Sequence, residues 1–363
     1  MLGSKRIQFA LALMTSVALG TMAAAGCSDD ANTEGTGGVA GTGGMAGSSS
    51  SSSSSSSGTG GAGGAATCPP EEFTVLAATE LFFGEGNSGE WKQFGYNLDG
   101  LESTATSKDL CQPRDGAATS TPYPDGDEGR DNSFGKNLLP LILSLYPTWV
   151  SDINNGIQKG FFTSMLKLEC LPPEGDVPVM VTKLFGGTPL GSAPLFDGTD
   201  KWPVAPELLS DPMNPDSSTI LFPTSSVTGN MYDAGKSDTF VLTVPLKTMT
   251  ASTSIKLTLY AARVTMTLSD DRKSATSGMI GGVLNTEEFV AEVKKVGALL
   301  ELCDSQVFTN IITQVRQASD MMADGTQDPT KTCDGISIGL GFDMKQIQLG
   351  EVGPPTPVGA SCP

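Results

Sequence analysis

Ser254-Ile255-Lys256-Leu257-Thr258-Leu259-Tyr260 places Ile255, Leu257 and Leu259 alternately with Lys256 and Thr258, one apolar residue at every second position. Successive side chains on a strand point to opposite faces, so this period of two predicts a half-buried β-strand. A second run, 262–268, follows directly. Near the C-terminus Ile336, Ile338, Leu340 and Phe342 repeat the pattern.

Working outward, residues 73–83, 91–98, 161–168, 177–185, 218–222 and 239–246 carry the same β-branched and aromatic character and are expected to be strands. Helical periodicity is cleanest after Asn285-Thr286-Glu287-Glu288, which resembles a capping box. Phe289, Val293, Val296, Leu300 and Cys303 then recur at spacings of four and three. A second helix is predicted over 305–322, with Phe308, Ile311, Ile312 and Val315 on one face. Only Cys303-Asp304-Ser305 separates the two, so they form a helical pair. A further helical region over 137–160 is interrupted at Pro147. Strands without regular βαβ alternation predict an α+β, mainly β fold: an antiparallel β-sandwich-like core with that helical pair and the interrupted helical region.

Residues 1–26 have the layout of a signal peptide: Lys5 and Arg6, an apolar stretch over 7–19, then Met22-Ala23-Ala24-Ala25-Gly26. Ala24-Ala25-Gly26-Cys27 resembles a bacterial lipobox, departing from the family pattern at Ala24, where Leu is preferred. The resemblance implies a signal peptide over 1–26 and lipidation of Cys27. It places the chain at a bacterial membrane, the outer membrane or cell surface, with the membrane itself as a partner through the lipid. The general layout is similar to bacterial lipoproteins that pair a lipobox with a Ser/Gly tether, and it covers 1–67 only. After the lipidated cysteine, 27–67 is a Gly/Ser tether with an unbroken serine run from Ser48 to Ser57. So little apolar surface cannot offset ordering entropy, which predicts disorder. The rest, 68–363, is the expected globular domain.

Without Cys27, six cysteines remain: Cys68, Cys111, Cys170, Cys303, Cys333 and Cys362. An even number in an exported chain predicts three disulfides. One pairing of the fifteen joins Cys68 to Cys362, Cys111 to Cys170 and Cys303 to Cys333.

Charge and composition exclude several functions. Removing the leader leaves 20 basic against 40 acidic residues, a balance that argues against nucleic acid, which requires a basic face. The chain has no histidine, which removes Ser-His-Asp catalysis and His-ligated metals. Gly235-Lys236-Ser237 ends like a phosphate-binding loop but has Asn230 where its first glycine belongs. Ser164-Met165-Leu166-Lys167 has the form of a penicillin-binding nucleophile motif, without the partner motifs and within an expected strand. The acidic loop Asp125-Gly126-Asp127-Glu128-Gly129-Arg130-Asp131-Asn132 resembles calcium-loop grammar, so Asp125, Asp127, Asp131 and Asn132 are the candidate Ca²⁺ ligands, with Asp99, Asp197 and Asp200 as further oxygen sources. Against this stands a plain acidic turn capping the helix that follows. Trp91, Trp149 and Trp202 are either ligand-groove aromatics or core residues. These features favour a non-catalytic binding or structural surface module with a glycan or protein ligand. The alternative is a His-free, carboxylate-based hydrolase of envelope or environmental polymers.

Overall fold

The 254–260 and 262–268 runs are one strand, β8 (Ser252–Leu268), in the computed structural model, which describes residues 73–86, 89–236, 239–247 and 252–363. The leader, the tether, Cys27 and Cys68 lie outside the described residues. Ala261, at φ 48°, sits where the register with the neighbouring strand breaks between Tyr260 and Arg263. A bulge of this kind bends a strand. N-terminal to it β8 pairs with β7 (Thr239–Lys247), and C-terminal to it with β6 (Met231–Lys236).

The remaining strands are β1 (Phe73–Phe82), β2 (Thr163–Glu169), β3 (Val177–Gly187), β4 (Lys201–Val204), β5 (Ile220–Thr228), β9 (Ser274–Asn285) and β10 (Gly335–Val352). Eight strands pair antiparallel in the order β1–β2–β3–β5–β6–β8–β9–β10, and β10 pairs back onto β1. The sheet therefore closes into an up-and-down barrel, which removes most of its free edges. The α+β, mainly β class holds, and the sandwich-like core is realised by one continuous sheet whose two halves face each other. Ala78, Leu166 and Leu184 from one half meet Phe240, Leu242, Val264, Ile280 and Phe342 from the other around a void of about 20 Å³. That is room for one water at most, so the barrel is a packed core and not a channel.

β1 reads as a continuous apolar run because both of its faces are buried. Leu76, Ala78 and Leu81 point into the barrel, while Val75 and Ala77 face outward. On the outside they join Met165, Phe185, Ile347, Trp202 and Val204 in a second core, formed where β4 lies parallel to the end of β10. Trp202 is fully buried and its Nε1 donates to the Thr188 carbonyl at 2.8 Å. Trp149 is also core, so two of the three candidate groove aromatics are structural.

Helices cover one end of the barrel: α1 (Leu139–Leu145), α2 (Trp149–Gln158), α3 (Thr286–Leu299) and α4 (Gln306–Gln317). Pro147 falls between α1 and α2, as the sequence predicts. Asn154 of α2 accepts from the Leu81 amide and donates to the Leu81 carbonyl, both at 2.9 Å. Gln158 donates to the Thr79 carbonyl at 2.7 Å, beside the register break of β1. The α3 cap is as expected: Asn285 Oδ1 accepts from the Glu287 and Glu288 amides, each at 3.1 Å. Ser305 caps α4 in the same way, accepting from the Phe308 amide.

Two expectations are corrected, and two strands, β6 and β9, appear where none was expected. Residues 91–98 are not a strand; Glu90–Gln93 is a short 3₁₀ turn and Gly95, at φ 103°, breaks any extended run. The glycine- and serine-rich β9 and the short β6 are strands without a clear period-two signal. The disulfides pair Cys111 with Cys333 and Cys303 with Cys362, and Cys170 is also disulfide-bonded. The reason is barrel closure. With Phe82 opposite Gly341, the chain leaving β1 and the chain entering β10 emerge at the same end. There Gln112 bridges the segment beside the crosslink, its N donating to the Lys331 carbonyl and its carbonyl accepting from Cys333 N. Cys362 reaches Cys303 because the C-terminal tail returns over α3, its amide donating to the Lys294 carbonyl at 3.1 Å.

Candidate functional site

The candidate calcium loop lies in a segment, 90–136, that lies against the outer faces of β9 and β10. Glycine makes this approach feasible: a Cβ on Gly339 would lie 2.4 Å from the Gly95 nitrogen, and one on Gly281 would meet the Tyr96 ring at 2.6 Å. Backbone therefore sits directly on backbone, and its polar groups must be satisfied locally.

Asn132 does most of this. Its carboxamide nitrogen donates to the Trp91 carbonyl at 3.0 Å and the Gly339 carbonyl at 3.1 Å, and its oxygen accepts from the Gly135 amide at 2.9 Å and the Gly339 amide at 3.0 Å. No donor or acceptor capacity remains for a metal. The buried Asp131 accepts from the Leu98 amide at 2.6 Å. Asp125 accepts from the Ser103 amide. Asp127 stands apart on an exposed turn. Among the described residues no three His, Cys, Asp or Glu side chains converge in a way that could hold a metal ion. Of the acids of this loop, Asp125 and Asp131 accept from backbone amides and Glu128 pairs with Arg130.

Sequence reasoning missed the rest of the network, because its members are far apart along the chain. Asp320 accepts from the Ser337 amide at 2.8 Å and the Ser337 hydroxyl at 2.5 Å, while Ser133 N donates to the same hydroxyl at 2.8 Å. Gln327 accepts from the Cys111 amide and donates to Asp99 and to the Asp320 carbonyl. Lys136 donates to the carbonyls of Ser120, Thr121 and Pro124. Burial pushes Asp131 up to about 9, and Asp99 and Asp320 nearby push the same way. Burial likewise raises Asp125 and Asp320 to about 7 and lowers Lys136 to about 8. Burial therefore favours the neutral form of these carboxyls, most strongly at Asp131.

A second polar site lies at the junction of α3 and β8. β9 pairs with β8 only as far as Leu284 opposite Leu259. Beyond that point the chain becomes α3, and 252–258 of β8 loses its β9 neighbour. Glu292 of α3 takes its place, accepting from the Lys256 amide at 2.9 Å. Between helix and strand lies a cleft of about 260 Å³ lined by Lys256, Thr258, Leu284, Asn285, Glu288 and Phe289, with Ala291 and Glu292 at its side. Leu284 and Phe289 are buried and form an apolar floor. Tyr260 donates its hydroxyl to Glu288, 3.0 Å from both carboxylate oxygens. The helix cap and the strand alternation signal these residues separately in sequence; only the fold brings them together.

No protein-family model, curated protein or solved structure matches the chain.

Proposed function

We propose that this chain is an exported binding module, lipid-anchored at Cys27 and carried on the 27–67 tether at the outer membrane or cell surface of a bacterium. The observation that carries the binding reading is the cleft between α3 and β8, where polar groups of both charges stand around an apolar floor of Leu284 and Phe289. Disulfides between segments distant in sequence support an oxidising compartment. The test has two arms. Full chain carrying Cys27→Ala should lose incorporated radiolabelled palmitate and move from the membrane to the soluble fraction. The unaltered chain, screened on glycan, peptide and small-metabolite arrays, should retain a ligand without consuming it; turnover of an arrayed polymer would overturn the binding reading.

One observation favours the alternative hydrolase. Asp125, half-buried, is raised to about 7 by burial with Asp99 nearby, the range of a general acid. Polymer hydrolysis abolished by Asp125→Asn would select that reading.

A further inference from the structure

We infer that the cleft between α3 and β8 binds a small zwitterion bearing an apolar group, a free apolar amino acid or a dipeptide. This rests on the binding-module reading and names its ligand class.

The argument turns on which cleft groups are already occupied. Glu292 is spent: one carboxylate oxygen accepts from the Lys256 amide and the other from the Lys295 ammonium at 2.6 Å. Asn285 Oδ1 is spent on the α3 cap. By contrast, Lys256 and Glu288 line the same cleft with opposite charges and form no ion pair with each other. Among the described residues the Lys256 ammonium has no carboxylate partner. Glu288 accepts only from the neutral Tyr260 hydroxyl and keeps lone pairs to spare. The Thr258 hydroxyl and the Asn285 amide nitrogen also make no hydrogen bond among the described residues. The cleft thus offers an ammonium, an N–H and an O–H for a carboxylate, a carboxylate for an ammonium, and Leu284 with Phe289 for an apolar side chain. A neutral apolar ligand would use the floor and neither of the two exposed charges at its rim. A dianion or dication would meet one like charge. A zwitterion satisfies both through charge-assisted hydrogen bonds. A volume of about 260 Å³ lies just below the ~300 Å³ at which drug-sized pockets begin, a size for one or two residues and not for a polymer.

The test is isothermal titration of the full chain with L-leucine and Leu-Leu, and with two analogues that each lack one charge, L-leucinamide and N-acetyl-L-leucine. Leucine or Leu-Leu should bind saturably, and each analogue at least tenfold more weakly. Lys256→Met should weaken leucine at least tenfold and erase its advantage over leucinamide; Glu288→Gln should do the same relative to N-acetyl-leucine. Neither substitution should move the unfolding midpoint, which separates lost binding from lost folding. No saturable heat with either zwitterion, equal affinity for all ligands, or unchanged binding in both variants would overturn the inference. An array ligand that survives Lys256→Met and Glu288→Gln would overturn this assignment and leave the binding-module reading standing. No ligand in any format would overturn both.

Discussion

The two places where polar side chains gather in this protein are built in opposite ways. On the outer face of β9 and β10, Asp125, Asp131, Asn132, Asp320 and Lys136 sit among backbone groups that use their hydrogen-bonding capacity, and the three carboxyls are raised to about neutral pH or above by burial. Beside α3, Lys256, Thr258 and Glu288 face open volume with capacity unspent. The acidic density that draws the eye in the sequence belongs to the first region, and there it braces a loop. Unspent valence, rather than charge density, separates a site from a strut.

The largest expected effects lie in the braced region. Asn132→Leu strands four backbone groups in a buried setting, each worth about 1–3 kcal/mol when unsatisfied; allowing for relaxation, unfolding in urea should show a loss of about 4 kcal/mol. An equivalent truncation in the cleft, Thr258→Ala, should shift stability by less than ~0.5 kcal/mol. A loss of similar size in both would end the contrast between them.

The disulfides fall one on each side of it. Replacing Cys111 and Cys333 together, which opens a separation of 222 residues, should destabilise by up to about 5 kcal/mol through unfolded-state entropy. Replacing Cys303 and Cys362, 59 residues apart, should remove up to about 4 kcal/mol on the same account. Because the Cys111 amide is tied through Gln327 to Asp99 and Asp320, only the first replacement should also alter the pH dependence of stability. Urea titrations across pH distinguish the two.

That pH dependence has a definite sign. The folded-state values of Asp125 and Asp320 near 7 and Asp131 near 9 lie above the ~3.9 of an unfolded aspartate. The folded chain therefore holds more protons than the unfolded one, and stability falls as pH rises. The contribution is fully present below pH ~4 and drains away between there and the folded values of about 7 to 9. Thermal midpoints should drop by several degrees from pH 5 to pH 8, and Asp131→Asn should flatten the trend. A midpoint that rises over this interval would mean that these carboxyls are ionised and paired.

A similarly small effect links the two regions. Glu287 at the start of α3 pairs with Arg114 of the braced segment and Arg316 of α4 at the surface. Glu287→Gln should cost about 0.5 kcal/mol and be masked by salt, as exposed ion pairs are.

Much of the fold was legible because its signals are short-ranged. Alternation located β8 and β10, runs of β-branched and aromatic residues located β1, β2, β3, β5 and β7, and the capping pattern at Asn285 located α3. Where local pattern was weak, reading failed. β9 has Gly281 where Tyr96 presses on it, and Gly278 and Gly282 where Phe342 and Leu259 do, so packing removed the apolar alternation that would have announced a strand. Residues 91–98 carried β-forming side chains, but Gly95 turns the chain at the point of contact with Gly339. Of the candidate site, Asp125, Asp131 and Asn132 were singled out as candidate Ca²⁺ ligands, and in the fold each accepts from a backbone amide. Their use as internal struts depended on Gly339, Ser337 and Asp320, about 200 residues away.

From sequence alone follow the strand-rich class, the two closely spaced helices and their caps, and the exclusion of histidine chemistry, because each depends on neighbours within a few residues. Only the tertiary structure decided barrel closure, the Cys111–Cys333 and Cys303–Cys362 pairing, the buried acid network and the cleft at α3. Each of these requires segments far apart in the chain to meet, β1 with β10 across some 260 residues. A pleat repeats every two residues and specifies which face a side chain takes, but not which strand will lie beside it.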